Sequence, residues 1–166
     1  MDNNDSVFFT SDLSGNRVRK DSLCLNVLGA VDELDALLGK SIDSSNNLRV
    51  EEFLKKVQRD LRDLMACVSS GFDDCSFNEE MVDRLKNETD EINCLSGEIS
   101  SFIYQRGGSA AVNLFHARTV SRRSERLLVS YCLEGGFEEN NFAKLCAEYL
   151  NSLSNLLFEY GRFLQE

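Results

Sequence analysis

The sequence predicts an all-α fold, an up-and-down bundle of five helices, from three observations. Proline is absent and glycine occurs only 10 times in 166 residues, which disfavours a turn-dense β architecture and permits long helices. Apolar residues recur at helical spacing over five segments, and no strand-like alternation of useful length is present. The best-marked breaks between segments contain glycine or clusters of Asn, Asp and Ser.

The first segment, about Ser22–Ile42, sets Val27, Val31, Leu34 and Leu38 on one face, and Asp43-Ser44-Ser45-Asn46-Asn47 ends it. The second, about Leu48–Ser69, repeats the pattern with Leu54, Val57, Leu61, Leu64 and Val68. Its Glu51 and Glu52 suit the positive end of the helix dipole, and Gly71 with Asp73-Asp74 breaks it. The third opens on Ser76-Phe77-Asn78-Glu79, a capping-box pattern, and Leu85, Ile92, Leu95, Ile99 and Phe102 carry its stripe towards Gly107-Gly108. The fourth, about Ser109–Leu133, is terminated by Gly135-Gly136. The fifth, about Asn141–Leu164, is the most apolar. Phe142, Leu145, Tyr149, Leu153, Leu156, Tyr160 and Phe163 lie near one face, and Cys146, Leu150, Leu157 and Leu164 widen it beyond what one small bundle requires. That width predicts an oligomer.

Residues 1–20 are polar and aperiodic and end in Arg17-Val18-Arg19-Lys20, so they read as a flexible arm or ligand loop on a single helical domain spanning 1–166. A hydrophobic fraction of 42% with 11 Phe and 4 Tyr is that of a folded chain. The formal net charge of -10 argues against general nucleic-acid binding and against adhesion to anionic membranes, so an anionic ligand needs a local basic site. No stretch of about 18 apolar residues is available for a membrane span. Met1 to Asp12 has neither secretory nor transit-peptide character, and the expected address is the cytoplasm. No two of the six cysteines fall at CxxC spacing and there is one histidine, so the thiols are expected to be free and mostly buried, with no metal site.

Four of the 18 basic residues, Arg118, Arg122, Arg123 and Arg126, sit within nine positions of this acidic chain. On a helix, Arg118, Arg122 and Glu125 fall within roughly 60° of one another, with Ala117, Val120, Ser124, Leu127 and Tyr131 on the far side. One reading is a solvated face with an Arg122–Glu125 pair; the other is a guanidinium clamp for phosphates, which bind such forks in a bidentate manner. Asp32-Glu33-Leu34-Asp35 is either a solvated acidic group or, placed opposite Arg118, a carboxylate that orients the guanidinium. Asn151 lies in the middle of the apolar fifth helix, where an amide needs a partner, structural or ligand.

Phe102-Ile103, Gly107-Gly108-Ser109 and Ala117-Arg118-Thr119-Val120-Ser121-Arg122-Arg123-Ser124-Glu125-Arg126 together resemble the glycine-rich turn and ARTxxRRxER helix of the PduO-type ATP:cob(I)alamin adenosyltransferases. Arg17-Val18-Arg19-Lys20-Asp21 is similar to that family's KRVxKD, Gly29-Ala30-Val31-Asp32-Glu33-Leu34 to its GxVDEL, and Tyr149-Leu150-Asn151-Ser152-Leu153-Ser154 to its YLNRLSD. The resemblance, over roughly Arg17 to Leu164, implies a ferritin-like four-helix core, a homotrimer with sites at subunit interfaces, and transfer of the 5'-deoxyadenosyl group of ATP to a reduced corrinoid. ATP, Mg²⁺ and cobalamin are the implied small molecules, with a reductase as an implied partner. By the same analogy Arg118 and Arg122 hold the triphosphate, Glu125 supports them, Asp32 pairs with Arg118 across the interface, and Lys20 and Asn151 complete the nucleotide site. Phe102 corresponds to the aromatic that displaces the lower corrinoid ligand.

The sequence departs from the family pattern at the N-terminus, where either Thr10-Ser11-Asp12-Leu13-Ser14-Gly15 stands in place of a TGDxGxT phosphate loop or Thr10 aligns with the later part of that motif and the loop is absent. Tyr104-Gln105-Arg106 replaces the usual Leu-Pro turn, Phe115 takes the place of a histidine that His116 follows, and Ser152 and Asn155 replace an Arg and an Asp. The alternative reading is a non-catalytic trimeric relative acting as a corrinoid- or nucleotide-binding or scaffold protein.

Overall fold

The computed structural model describes residues 5–12 and 15–165. A 3-10 turn at Asp5–Phe8 leads into β1 (Phe9–Ser11), which pairs antiparallel with β2 (Arg17–Arg19), Thr10 opposite Val18. Five helices follow: α1 (Leu23–Ser44), α2 (Leu48–Ser69), α3 (Glu79–Ser96), α4 (Ser109–Gly135) and α5 (Asn141–Phe163). The hairpin departs from the arm expected over residues 1–20. Strands of three residues are too short to display alternation, and Asp12 closes the turn instead, accepting from the Asn16 backbone N–H at 2.7 Å.

Side-chain contacts fix the helix directions. Gln58 Nε2 donates to the Asp35 carbonyl and Cys24 Sγ reaches that of Val68, so α1 and α2 run antiparallel. Arg84–Asp60 and Arg49–Glu88 do the same for α3 against α2. Arg123–Glu33 and Asn113–Ser44 set α4 antiparallel to α1, and the Ser121 hydroxyl donating to the Leu150 carbonyl ties α4 to α5. The helices therefore alternate up and down, as the sequence predicts.

The wide apolar face of α5 finds its cover within the chain. α5 packs against α2, α3 and α4, and of the residues that suggested an oligomer Cys146, Leu150 and Leu157 are fully buried and Leu164 is half-buried. A helix with three neighbours needs apolar residues over most of its circumference, so the breadth of this face carries no information about assembly.

Two further expectations are corrected. The capping box at Ser76–Glu79 does not form: Asn78 is the N-cap and makes no side-chain cap bond, because Phe77 is drawn into the core edge-on to Tyr149 at 5.1 Å. The stripe of α3 also stops early, since the chain turns at Gly97 (φ 72) and leaves Ile99 and Phe102 exposed beyond the helix. Gly136 does end α4 in the left-handed conformation (φ 72), as expected.

The cysteines are not all free. Cys67 and Cys75 form a disulfide with Cα atoms 4.7 Å apart, while Cys24, Cys94, Cys132 and Cys146 remain thiols. Gly71 and Phe72, both at positive φ, reverse the chain so that residue 75 returns beside residue 67. Phe72 adopts that backbone at a cost of about 1–3 kcal/mol, offset by burying its ring against Tyr131 and Phe137. The Cys146 thiol lies 3.9 Å from Cys67 Sγ, and burial pushes its pKa up to about 12.

Buried polar groups lock α3 to its neighbours. The Tyr149 hydroxyl and Arg84 both donate to Asp60 Oδ2, at 2.8 and 2.5 Å, and burial with the Asp60 charge keeps the phenol protonated. Glu88 accepts from Tyr160 at 2.7 Å and from Arg49 at 2.9 Å. Burial alone raises the Glu88 pKa, but the bonds from Arg49 and Tyr160 outweigh it and hold the carboxyl below its ordinary range. A depressed folded-state pKa stabilises above the unfolded value of about 4.3 and is lost as pH falls through the lower folded value. Glu88→Gln should therefore cost about 1.5–3 kcal/mol at pH 7 and progressively less on acidification through the carboxylate range, in denaturant titrations. A pH-independent difference would refute the assignment.

Candidate functional site

The arginine-bearing helix segregates as its spacing predicts. Ala117, Val120 and Ser124 are buried, Arg122, Arg123 and Arg126 are exposed, and Arg118 and Glu125 are half-buried. The solvated-face reading requires an Arg122–Glu125 ion pair, and none forms among the described residues; Arg123 alone of the four pairs, with Glu33 of α1. The Arg118 guanidinium lies over the Phe158 ring at 5.3 Å, which holds a cation without neutralising it. Arg126 donates to the Arg122 carbonyl at 3.0 Å.

Of the acidic group on α1, Glu33 is taken by Arg123, while Asp35 keeps one buried carboxyl oxygen without a partner among the described residues. Asp32 is exposed and lines a groove of about 440 Å³ with Ser11, Asp12, Leu25, Leu28 and Met65. The hairpin thus brings Asp12 and Asp32 to one groove. Sequence reasoning missed this because the pairing depends on a turn only a few residues long. Of the degenerate phosphate loop, Leu13 and Ser14 lie outside the described residues, and Asp12 is spent on its own turn.

The register of α1 and α4 decides which candidates meet within one chain. With Glu33 opposite Arg123 and Ser44 opposite Asn113, Arg118 falls level with Leu38. That level is about six residues, roughly 9 Å of helix, beyond Asp32. Lys20 precedes α1, so roughly 22 Å of helix separates its level from that of Arg118. Lys20 is exposed on a separate groove of about 330 Å³ with Val7, Phe8, Phe9, Arg19 and Asp21, and the last two pair with each other at 2.7 Å. On α5, Asn151 is exposed and follows Leu150, whose carbonyl meets Ser121, so it shares the level of Arg118 and Arg122. Phe102 stands apart in the loop between α3 and α4. It is 80% exposed, with its ring edge-on to Tyr104 at 5.4 Å. One chain therefore sets Arg118, Arg122, Glu125 and Asn151 at neighbouring levels of the bundle, with Lys20 towards the start of α1 and Phe102 in the loop between α3 and α4. Phe115, where the family pattern has a histidine, is buried against Phe158 and Gly161, and His116 is exposed.

An up-and-down bundle presenting Arg118 and Arg122 without a carboxylate partner among the described residues is a helical scaffold suited to an anionic ligand. The family model for cobalamin adenosyltransferase matches residues 9–164. A cobalamin adenosyltransferase of Cupriavidus metallidurans is 34% identical over 154 residues, covering 90% of this chain and 79% of that protein. A corrinoid adenosyltransferase of Bacillus subtilis is 29% identical over 157 residues, covering 90% and 78%. In structure, a variant PduO-type ATP:corrinoid adenosyltransferase from Lactobacillus reuteri, complexed with cobalamin and ATP, superposes with a TM-score of 0.83 at 21% identity, over 98% of this chain and 89% of that one. The chain belongs to the cobalamin adenosyltransferase family.

The exposed Arg123–Glu33 pair should contribute little, about 0.2–1 kcal/mol. Glu33→Ala should shift the urea midpoint only slightly, and a loss above 2 kcal/mol would mean that the pair, and not apolar packing, sets the α1–α4 register.

Proposed function

We propose that the protein is an ATP:cob(I)alamin adenosyltransferase, with Arg118 and Arg122 as the triphosphate clamp. The observation that carries the proposal is the state of Arg118: half-buried, seated on Phe158 and paired with no carboxylate among the described residues. Such a cation is available to an anion at no cost of breaking an internal pair.

In the reaction the cobalt(I) electron pair attacks the ribose C5', a Co–C bond forms, and the C5'–O bond breaks with its electrons leaving on triphosphate. The cobalt supplies the nucleophile, and the chain positions the reactants and stabilises charge. Arg118 and Arg122 meet the charge that grows on the departing oxygen, Glu125 orients them, and Asn151 contacts the nucleotide at the same level. Mg²⁺ enters on the phosphates as part of the substrate, the usual mode for this ion.

Lys20 and Asp32 complete the site from a second copy. Their distance along the bundle from Arg118 supports a homotrimer with shared sites, as does the exposure of Val112, Val129 and Leu133 on α4. Phe102 displaces the lower corrinoid ligand, leaving a cobalt(II) that is easier to reduce. Making cobalt(I) needs a strong reductant, which supports a reductase partner and a cytoplasmic setting. No helix among the described residues is long and apolar enough to cross a membrane.

An anaerobic absorbance assay with ATP, Mg²⁺ and chemically reduced cob(I)alamin should yield light-sensitive adenosylcobalamin above the no-protein control. Absence of product from the folded protein would refute the enzyme and favour a non-catalytic relative. Arg118→Ala should lower turnover about 10²-fold or more with little change in stability, and full activity would remove the clamp. Phe102→Ala should damage turnover of cob(II)alamin, supplied with reductant, more than that of pre-reduced cob(I)alamin; equal losses would count against its role.

A further inference from the structure

Phe102 is 80% exposed and its aromatic partner among the described residues is Tyr104, itself 66% exposed, so the position of the pair is set by what holds residues 97–108. The end of α5 and the turn after it hold that loop at three points. At its start, Arg162 Nη2 donates to the Gly97 carbonyl at 2.8 Å, and Nη1 is anchored on Glu159 at 2.6 Å. Both side chains are buried, and Nη1 also reaches Asn93 Oδ1 at 3.4 Å. The guanidinium therefore satisfies carbonyls that the end of α3 leaves free, in a site where an unpaired charge is costly.

In the middle of the loop, Gln165 Nε2 donates to the Tyr104 carbonyl at 2.9 Å. At the far end Gly107 has φ +128, and a Cβ there would approach Gln165 Cα and Cγ at 3.3 Å. The backbone of the loop thus packs tightly against Gln165, in a conformation that side-chain-bearing residues rarely adopt.

We infer that Arg162 and Gln165 are positioning residues for the corrinoid: the end of α5 and the turn after it clamp the loop so that the exposed Phe102 is presented in one place. This rests on the corrinoid role proposed for Phe102. It assigns function to the last turn of α5 and the turn that follows it.

The chain contains no tryptophan, so Phe102→Trp provides a single fluorescent reporter at the loop tip. In that background Gln165→Ala should lower the anisotropy of the indole, with unchanged helix content by circular dichroism. In the Phe102 background the same variant should raise the corrinoid KM about three- to tenfold and leave the ATP KM unmoved, the scale of one lost hydrogen bond. Arg162→Lys keeps the charge but not the fork, and should act more strongly in the same direction if it folds. Unchanged anisotropy in Gln165→Ala would overturn the clamp. Lowered anisotropy with an unchanged corrinoid KM would overturn the positioning role. If the parent chain lacks turnover, the adenosyltransferase reading fails by itself, and the anisotropy still decides whether α5 holds the loop.

Discussion

The packing of α5 against α2, α3 and α4 is the constraint on which the rest of the structure depends. Tyr149, Leu150, Leu153, Leu156, Leu157 and Tyr160 are fully buried on that one helix, the larger of them removing on the order of 2 kcal/mol each from water. Everything functional is referred to it. Arg118 rests on Phe158, Ser121 of the arginine helix bonds to the Leu150 carbonyl, and the aromatic loop is tied to Arg162 and Gln165.

Apolar burial fixes where the helices lie, and buried polar groups fix how they slide. Leucine against leucine tolerates a shift of one turn, whereas the Tyr149–Asp60–Arg84 and Tyr160–Glu88–Arg49 chains do not, because a slip would strand carboxylates and phenols in the core. Specific register matters more here than in a structural bundle, since on the proposed reading the level of Arg118 along α1 and α5 determines which groups reach one ligand.

Helical periodicity made the five helices legible because each buries a stripe, and Gly135-Gly136 marked a true terminus. What the sequence concealed was set by tertiary context. Phe77 leaves the capping box for the core, Gly71 and Phe72 bring together two cysteines eight residues apart, and the breadth of the α5 face is used within the chain. At the candidate site, the segregation of Arg118 and Arg122 from Ala117 and Val120 was readable from spacing alone. The clamp at Gly97 was not, although Glu159 and Arg162 at i,i+3 in a helix end offered a signal: a charged pair in the most apolar segment needs a reason to be there.

The antiparallel register of α1 and α4 has a consequence for inheritance and mixing. On the proposed reading, Lys20 and Arg118 of one polypeptide serve different sites, so damage to one half of the machinery leaves the other half of that polypeptide intact. Two populations of chains, each inactivated at a different half, would generate some whole sites when co-assembled. Defective alleles of this protein could then complement one another, as those of an enzyme with a self-contained site cannot.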